Sequence, residues 1–243
     1  MAGGRGKRFG SEESGVNKTA ASLSGKPLVV YGVELFFKTT DKTVVVVGSM
    51  AETVKAAVGE YNVEWATQEK PLGTGDAVRA GVYRIKELGW KVKSVVVGYA
   101  DHMMFYTPAA VKSLVDVQQK NDAVMGLLAT EYQDPNKLAW GRLIRSTNGD
   151  VERIVEQKNA TEEEKNIKEV NPGFYCFDYK FLLEAVDKIK PNTVNGEYYI
   201  TDLVEIAGDM GKKVVAVRVP FEEVGYGINT REELEADRKM MIQ

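Results

Sequence analysis

The sequence predicts an α/β fold: a mostly parallel sheet with helices on both faces, carrying a small β-hairpin lobe. Three observations predict it. Short Val-rich runs closed by glycine, "TVVVVGS" (43–49) and "SVVVGYA" (94–100), read as buried strands. Helical periodicity lies between and after them, and strand–helix–strand alternation at this length calls for parallel strands joined by crossover helices. Downstream, "AWGRLIRSTNGDVERIVEQ" reads as a hairpin turning at Asn148-Gly149, a pair suited to a type I′ turn.

Each helix has a local reason. Residues 74–88 place Val78, Val82, Ile85 and Leu88 along one face. Thr107 is a natural N-cap with Pro108 at the first helical position, followed by inward-facing Val111, Leu114 and Val115. "TEEE" (161–164) and "TREE" (230–233) are capping-box starts, with Glu164 and Glu233 three residues after a threonine. Residues 178–190 carry Phe181, Leu182, Ala185 and Ile189 on one helical face. No linker or internal repeat divides the chain, so a single domain over 1–243 is expected.

Composition bounds the function. A net charge of -3 argues against a general nucleic-acid binder, so an anionic ligand needs a local cluster of cations. The single cysteine, Cys176, lies in the apolar run "GFYCFD" and reads as a buried thiol. There is no apolar run of about 18 residues and no signal-peptide pattern. A cytoplasmic protein with no membrane partner is expected.

Four stretches carry candidate chemistry. The opening "MAGGRGKRFG" sets Arg5, Lys7 and Arg8 among Gly3, Gly4, Gly6 and Gly10, with Lys18 and Lys26 further along. It is either a flexible basic tail or an anion nest of backbone N–H groups, and it is not a Walker A loop. In "QEKPLGTGDAV" (68–78) Gly73-Thr74-Gly75 opens a helix. Its N–H groups either meet a docked ligand or receive an ordinary Thr cap, and the Gln68 amide upstream suits the edge of a base. Asp101 comes after the strand "SVVVGYA", where ligands of open α/β sheets bind, and is either a divalent-metal ligand or a local cap. His102, the lone histidine, reads as an exposed or packing residue rather than a catalytic one. Gly141, Glu156, Asn171, "GEYYITD" (196–202) and Asn229 are individually unremarkable.

Order and spacing say more than the single motifs. The series "MAGGRGKRF … NK … GKPLV … QEKPLGTGDAV … YAD … WGRLIR … IVEQKNA … EVNPGFY … GEYYITD … GINTR" resembles the pyrophosphorylase domain of bacterial N-acetylglucosamine-1-phosphate uridyltransferases, within the sugar-phosphate nucleotidyltransferase superfamily. The likeness covers nearly the whole chain. It implies a Rossmann-like (GT-A-like) sheet whose first half, about 1–135, binds nucleotide and whose second, about 136–229, binds sugar. By the same resemblance Arg8 and Lys18 are the catalytic cations on the triphosphate. Met1, Ala2, Gly3 and Gly4 wrap the nucleotide with Tyr99 and Ala100, while Gln68, supported by Gly73 and Thr74, reads uracil. Gly141, Glu156 and Asn171 hold the sugar, and Asp101 and Asn229 ligate Mg2+. The implied substrates are UTP and N-acetylglucosamine-1-phosphate. No hexapeptide β-helix repeat occurs, so no acetyltransferase activity is expected.

Three departures stand out. The family's first strand, which should precede "AGG", is absent from this sequence, so the sheet is expected to lack it. The Arg8–Lys18 spacing is longer than usual, and Asn17 stands where a proline normally precedes the lysine. Ala100 occupies a glycine position, and Pro172 comes after Asn171 where threonine is usual. A related transferase for another base or sugar, and a catalytically inactive nucleotide-binding protein, are the competing expectations. Oligomeric state is not legible.

Overall fold

A computed structural model describes residues 1–241. Its main elements are α1 (Leu28–Thr39), β1 (Val44–Val47), α2 (Ala51–Val58), β2 (Glu64–Thr67), α3 (Thr74–Glu87), β3 (Ser94–Gly98), α4 (Pro108–Lys120) and β4 (Met125–Glu131). Then come β5 (Gly141–Arg145), β6 (Val151–Val155), β7 (Glu169–Asn171), β8 (Phe174–Asp178), α5 (Tyr179–Ala185), α6 (Leu203–Asp209), β9 (Val214–Arg218) and α7 (Arg231–Met240).

Strands β1 and β2 pair in parallel. In the larger sheet β3 and β4 both run antiparallel to β8 between them, and β9 lies parallel to β4 on its far side. β3, β4 and β9 thus share one direction and the reversed β8 lies among them, so this part of the sheet is mixed. Side chains of β8 alternate between two cores: Phe174 and Cys176 join the cluster under α1 and α4, while Tyr175 and Phe177 join that under α3, α5 and α6. Helices thus cover both faces. Burial pushes the Cys176 thiol up to about 12, so it is an inert core residue.

The far end of β4 diverges to pair with β7, which continues through β5 to β6 as a small lobe. Its hairpin is not closed by a type I′ turn. The Gly149 N–H donates to the Ser146 carbonyl at 2.9 Å, and Gly149, at φ 86°, is left-handed while Asn148 is not. A bulge at Ile144/Arg145 absorbs the extra residue, the alternative that strand twist favours for longer loops.

The helix readings hold with small changes at the ends. Val78, Val82 and Ile85 are buried, whereas Leu88 sits half-buried at the α3 cap. The Thr107 hydroxyl accepts from the Ala110 N–H at 3.1 Å, and both capping boxes are closed. The helix after Asp178 stops at Ala185 and continues as a 3-10 turn over Val186–Lys188. Among the described residues no helix is long and apolar enough to cross a membrane.

The sheet is split where the first strand was expected to be missing. Met1 and Ala2 bridge the two parts: the Ala2 N–H donates to the Val46 carbonyl (2.7 Å), and the Ala100 N–H to that of Met1 (3.0 Å). Beyond that bridge β1 and β3 do not pair. A groove of about 430 Å³ separates them, lined by Val44, Val46, Val95 and Val97 and roofed by Val82 and Phe36.

Candidate functional site

The opening loop is anchored rather than loose. Gly6 and Gly10, at φ 60° and 80°, bracket a 3-10 turn, and a Cβ on Gly6 would collide with Ser11 Oγ. The turn buries Phe9 among Leu23, Leu28, Met104 and Ile228 while exposing Lys7 and Arg8. A tail would have no such anchor.

Asn17 fixes the segment that carries Lys18. It is 1% exposed, and its amide donates to the carbonyls of Gly4 (3.0 Å) and Ser49 (2.8 Å). Its oxygen accepts from the Thr19 N–H at 2.9 Å, capping the turn over Lys18–Ala20. The lysine ammonium consequently lies 2.5 Å from Asp101 Oδ2 and 3.3 Å from Asn229 Oδ1. Burial alone would raise the Asp101 pKa, but the Lys18 ammonium outweighs it and holds the carboxyl below its ordinary value.

Two loops bring Asp101 and Asn229 together. The Asp101 carbonyl accepts from the Ile228 N–H at 2.9 Å, and Glu233 Oε2 accepts from the N–H groups of Asn229 (2.6 Å) and Thr230 (2.8 Å). His102 packs on Trp140 with ring centroids 4.7 Å apart, and burial lowers its pKa to about 4. It is a neutral packing residue, which decides between the exposed and packing readings of the sequence.

The Gln68 N–H donates to the Val47 carbonyl at 2.7 Å, holding the side chain at the end of β2. Two expectations about the start of α3 need correction. The cap position is Gly73, at φ 101°, and the Thr74 hydroxyl instead accepts from the Ile200 N–H at 3.1 Å. The Gly75 N–H is not free for a ligand, since it donates to the Tyr198 carbonyl at 2.8 Å. "GEYYITD" is thus zipped onto the helix start.

In the lobe, Gly141 and Asn171 are cross-strand partners. The Asn171 amide donates to the Tyr175 hydroxyl (2.7 Å), and its oxygen accepts from the Gly173 N–H (3.1 Å). Glu156 accepts from the Thr201 hydroxyl at 3.2 Å, and burial raises its pKa. Arg142 was invisible to motif reasoning. Fully buried, it donates to the carbonyls of Pro135 (2.7 Å), Leu138 (3.2 Å), Trp140 (2.5 Å) and Lys165 (3.3 Å), shaping the loop before Gly141.

These residues surround a cleft with two compartments. The larger, about 660 Å³, is lined by Met1, Gly3, Gly4, Gln68 and Gly73. The smaller, about 200 Å³, is lined by Arg8, Gly141, Glu156, Lys158 and Asn171. Thr74, Tyr99, Asp101, Tyr199 and Asn229 line both, so the carboxylate–amide pair stands at the seam. Ala2 and Ala100 belong to the core, where their backbones hold the loop and their side chains face away from the cleft. No cluster of three or more His, Cys, Asp or Glu able to hold a metal occurs among the described residues. Two oxygen donors, from Asp101 and Asn229, do converge on one cationic group, a donor set that suits a hard divalent ion.

The chain is similar to known proteins. The chain is 35% identical over 96% of its length to the bifunctional protein GlmU of Clostridium acetobutylicum, and 37% identical over the same share to that of Caldicellulosiruptor saccharolyticus. It spans about half of these relatives, 49% of each. Its fold matches a crystal structure of UDP-glucose pyrophosphorylase with UDP-glucose, at TM-score 0.75 and 17% identity, covering 99% of this chain and 96% of the other. The profile of the MobA-like NTP transferase domain matches residues 1–163, which include the glycine loop, Gln68, Asp101 and Glu156. With that match over most of its length, the chain belongs to the MobA-like NTP transferase family.

Proposed function

We propose that this nucleotidyltransferase acts on a sugar-1-phosphate, condensing UTP with N-acetylglucosamine-1-phosphate to give UDP-N-acetylglucosamine and pyrophosphate. The observation that carries the reading is the two-compartment cleft meeting at Asp101, Asn229 and Lys18. One compartment offers glycine backbone and an amide for a nucleotide; the other offers Glu156 and Asn171 for a sugar. The identity to GlmU proteins supports the choice of substrates.

The residue types account for the chemistry. A sugar-phosphate oxygen attacks the α-phosphorus in line, the new P–O bond forms, and the α–β anhydride bond breaks to release pyrophosphate. That nucleophile is already an anion, so no side chain has to activate it, and positioning with charge neutralisation suffices. Arg8, exposed at the cleft edge, and Lys18 neutralise charge on the triphosphate. Asp101 and Asn229 would hold Mg2+, which would supply positive charge against the phosphates.

Pyrophosphate release across a matrix of nucleotides and sugar phosphates tests this. The highest kcat/KM is expected for UTP with N-acetylglucosamine-1-phosphate. A folded protein that releases pyrophosphate with no pair is not this enzyme, and a preference for glucose-1-phosphate overturns the sugar alone.

A further inference from the structure

Gln68 is 7% exposed on the wall of the larger compartment, and its amide has a fixed sense. Its Nε2 lies 2.9 Å from the Gly73 carbonyl and 2.9 Å from Asp76 Oδ2. A carbonyl and a carboxylate only accept, so both amide hydrogens are committed, and the reversed amide would set oxygen against oxygen twice. The Gln68 oxygen therefore faces the other way, towards Gly3, where an added Cβ would lie 3.1 Å from it. The clamp is itself held. Arg79 Nη1 lies 3.2 Å from Asp76 Oδ1, and Arg79 is fixed in turn by Asp187 at 3.1 Å and by the Tyr198 ring beneath it. Gly73 packs closely against Tyr198, where an added Cβ would meet the Tyr198 carbonyl at 2.5 Å.

We infer that Asp76 is a specificity-determining positioning residue: by clamping Gln68 it makes the base subsite a hydrogen-bond acceptor. This rests on reading the larger compartment as the nucleotide site. Uracil and thymine present an N3–H donor to such a group, whereas the cytosine N3 is itself an acceptor. Uracil and cytosine have nearly the same shape and differ in polarity at N3 and at the 4-substituent, so the sign of a contact at N3 discriminates between them. Without the carboxylate only the Gly73 carbonyl holds the amide, and the reversed orientation, which offers cytosine a donor, becomes accessible.

The experiment compares UTP and CTP, by kcat/KM and by equilibrium binding without sugar phosphate, for the wild type, Asp76→Ala, Asp76→Ser and Gln68→Ala. The wild type is expected to prefer UTP. Either Asp76 variant is expected to lose about tenfold of that preference, the scale of one charge-assisted hydrogen bond. The loss should appear in the UTP KM with kcat retained, and Gln68→Ala should abolish the preference. A folded Asp76 variant whose UTP:CTP ratio stays within about twofold of wild type, or a wild type with no preference, overturns the role of Asp76 while leaving nucleotide binding intact. A wild type that binds neither nucleotide overturns the underlying reading, and this inference with it.

Discussion

The Lys18 ammonium lies 2.5 Å from the Asp101 carboxylate, and the Asn229 amide oxygen stands 3.3 Å from the same nitrogen. Residues from the loop, the end of β3 and the segment before α7 thus meet at one point, where charge on a transferring phosphate would need neutralising. Replacing Asp101 by Ala removes the only carboxylate of the three. Turnover in Mg2+ is expected to fall on the order of 10²–10³-fold or more. The circular dichroism spectrum should be unchanged, since the side chain anchors no element. Full activity with an unaltered Mg2+ dependence would show that Asp101 is not a metal ligand.

Asn17→Ala tests the clasp under the glycine loop. It removes the hydrogen bonds to Gly4 and Ser49 and the cap at Thr19. Buried polar groups left without partners cost about 1–3 kcal/mol each, with partial recovery through water. We expect a stability loss of about 2–3 kcal/mol in denaturant titration. The nucleotide KM should rise at temperatures where the variant is still folded. An unchanged KM would mean that loop position does not depend on Asn17.

Elements governed by local chemistry were legible in the sequence. The Val runs, the threonine caps at 107, 161 and 230, and the placement of Asp101 after a strand are all set by neighbouring residues. Contacts between distant positions were not legible. Asn17 reaches carbonyls 13 and 32 residues away, and a polar residue in a Gly-rich loop carries no signal of that. The same holds for Arg142, whose acceptors are backbone atoms, and for Gly75, whose N–H is taken by Tyr198. The Asn148-Gly149 pair misled because turn type depends on loop length and strand register, which are set across the hairpin.

Arg142→Met should be among the most damaging changes in the lobe. Methionine matches the aliphatic stem but leaves the carbonyls of Pro135, Leu138 and Trp140 without their donor. A loss of about 3–5 kcal/mol is expected. Lysine should recover only part of it, since an ammonium cannot span the same fork of acceptors. Urea denaturation of both variants measures this; a loss below about 1 kcal/mol for Met would show that water replaces the guanidinium.

Asp237 should make stability depend on pH. Its side chain is fully buried: Oδ1 accepts from the Tyr226 N–H at 3.0 Å, and Oδ2 has no hydrogen-bond partner among the described residues. Burial, with the Glu233 charge adding to it, raises its pKa from 3.8 to about 6. The folded state therefore holds the proton more tightly than the unfolded chain. That stabilisation is complete below about pH 4 and is lost as pH rises through about 6. The carboxyl contributes a slope of up to about 1.4 kcal/mol per pH unit in that window. Asp202, also raised to about 6, adds a slope of the same sign. Subtracting the Asp237→Asn profile from that of the wild type isolates Asp237, and parallel profiles would refute the assignment.

The groove between β1 and β3 gives the last prediction. Its walls present valines and two strand edges, and Met1–Ala2 already makes parallel-type bonds to both sides. Extending the chain before Met1 by about five β-branched apolar residues should let the new segment continue those bonds as a strand. Each buried side chain contributes roughly 1.5–3 kcal/mol. Ordering each residue's backbone costs about 1–2 kcal/mol. The extension also replaces the Met1 amine, whose pKa burial lowers to about 6, with a neutral peptide N–H. A net gain of a few kcal/mol and a rise in Tm of several degrees are expected. A Gly/Ser extension of equal length also replaces the amine but offers nothing to bury, so its Tm should rise less. Equal Tm values for the two extensions would show that the groove does not accept a strand.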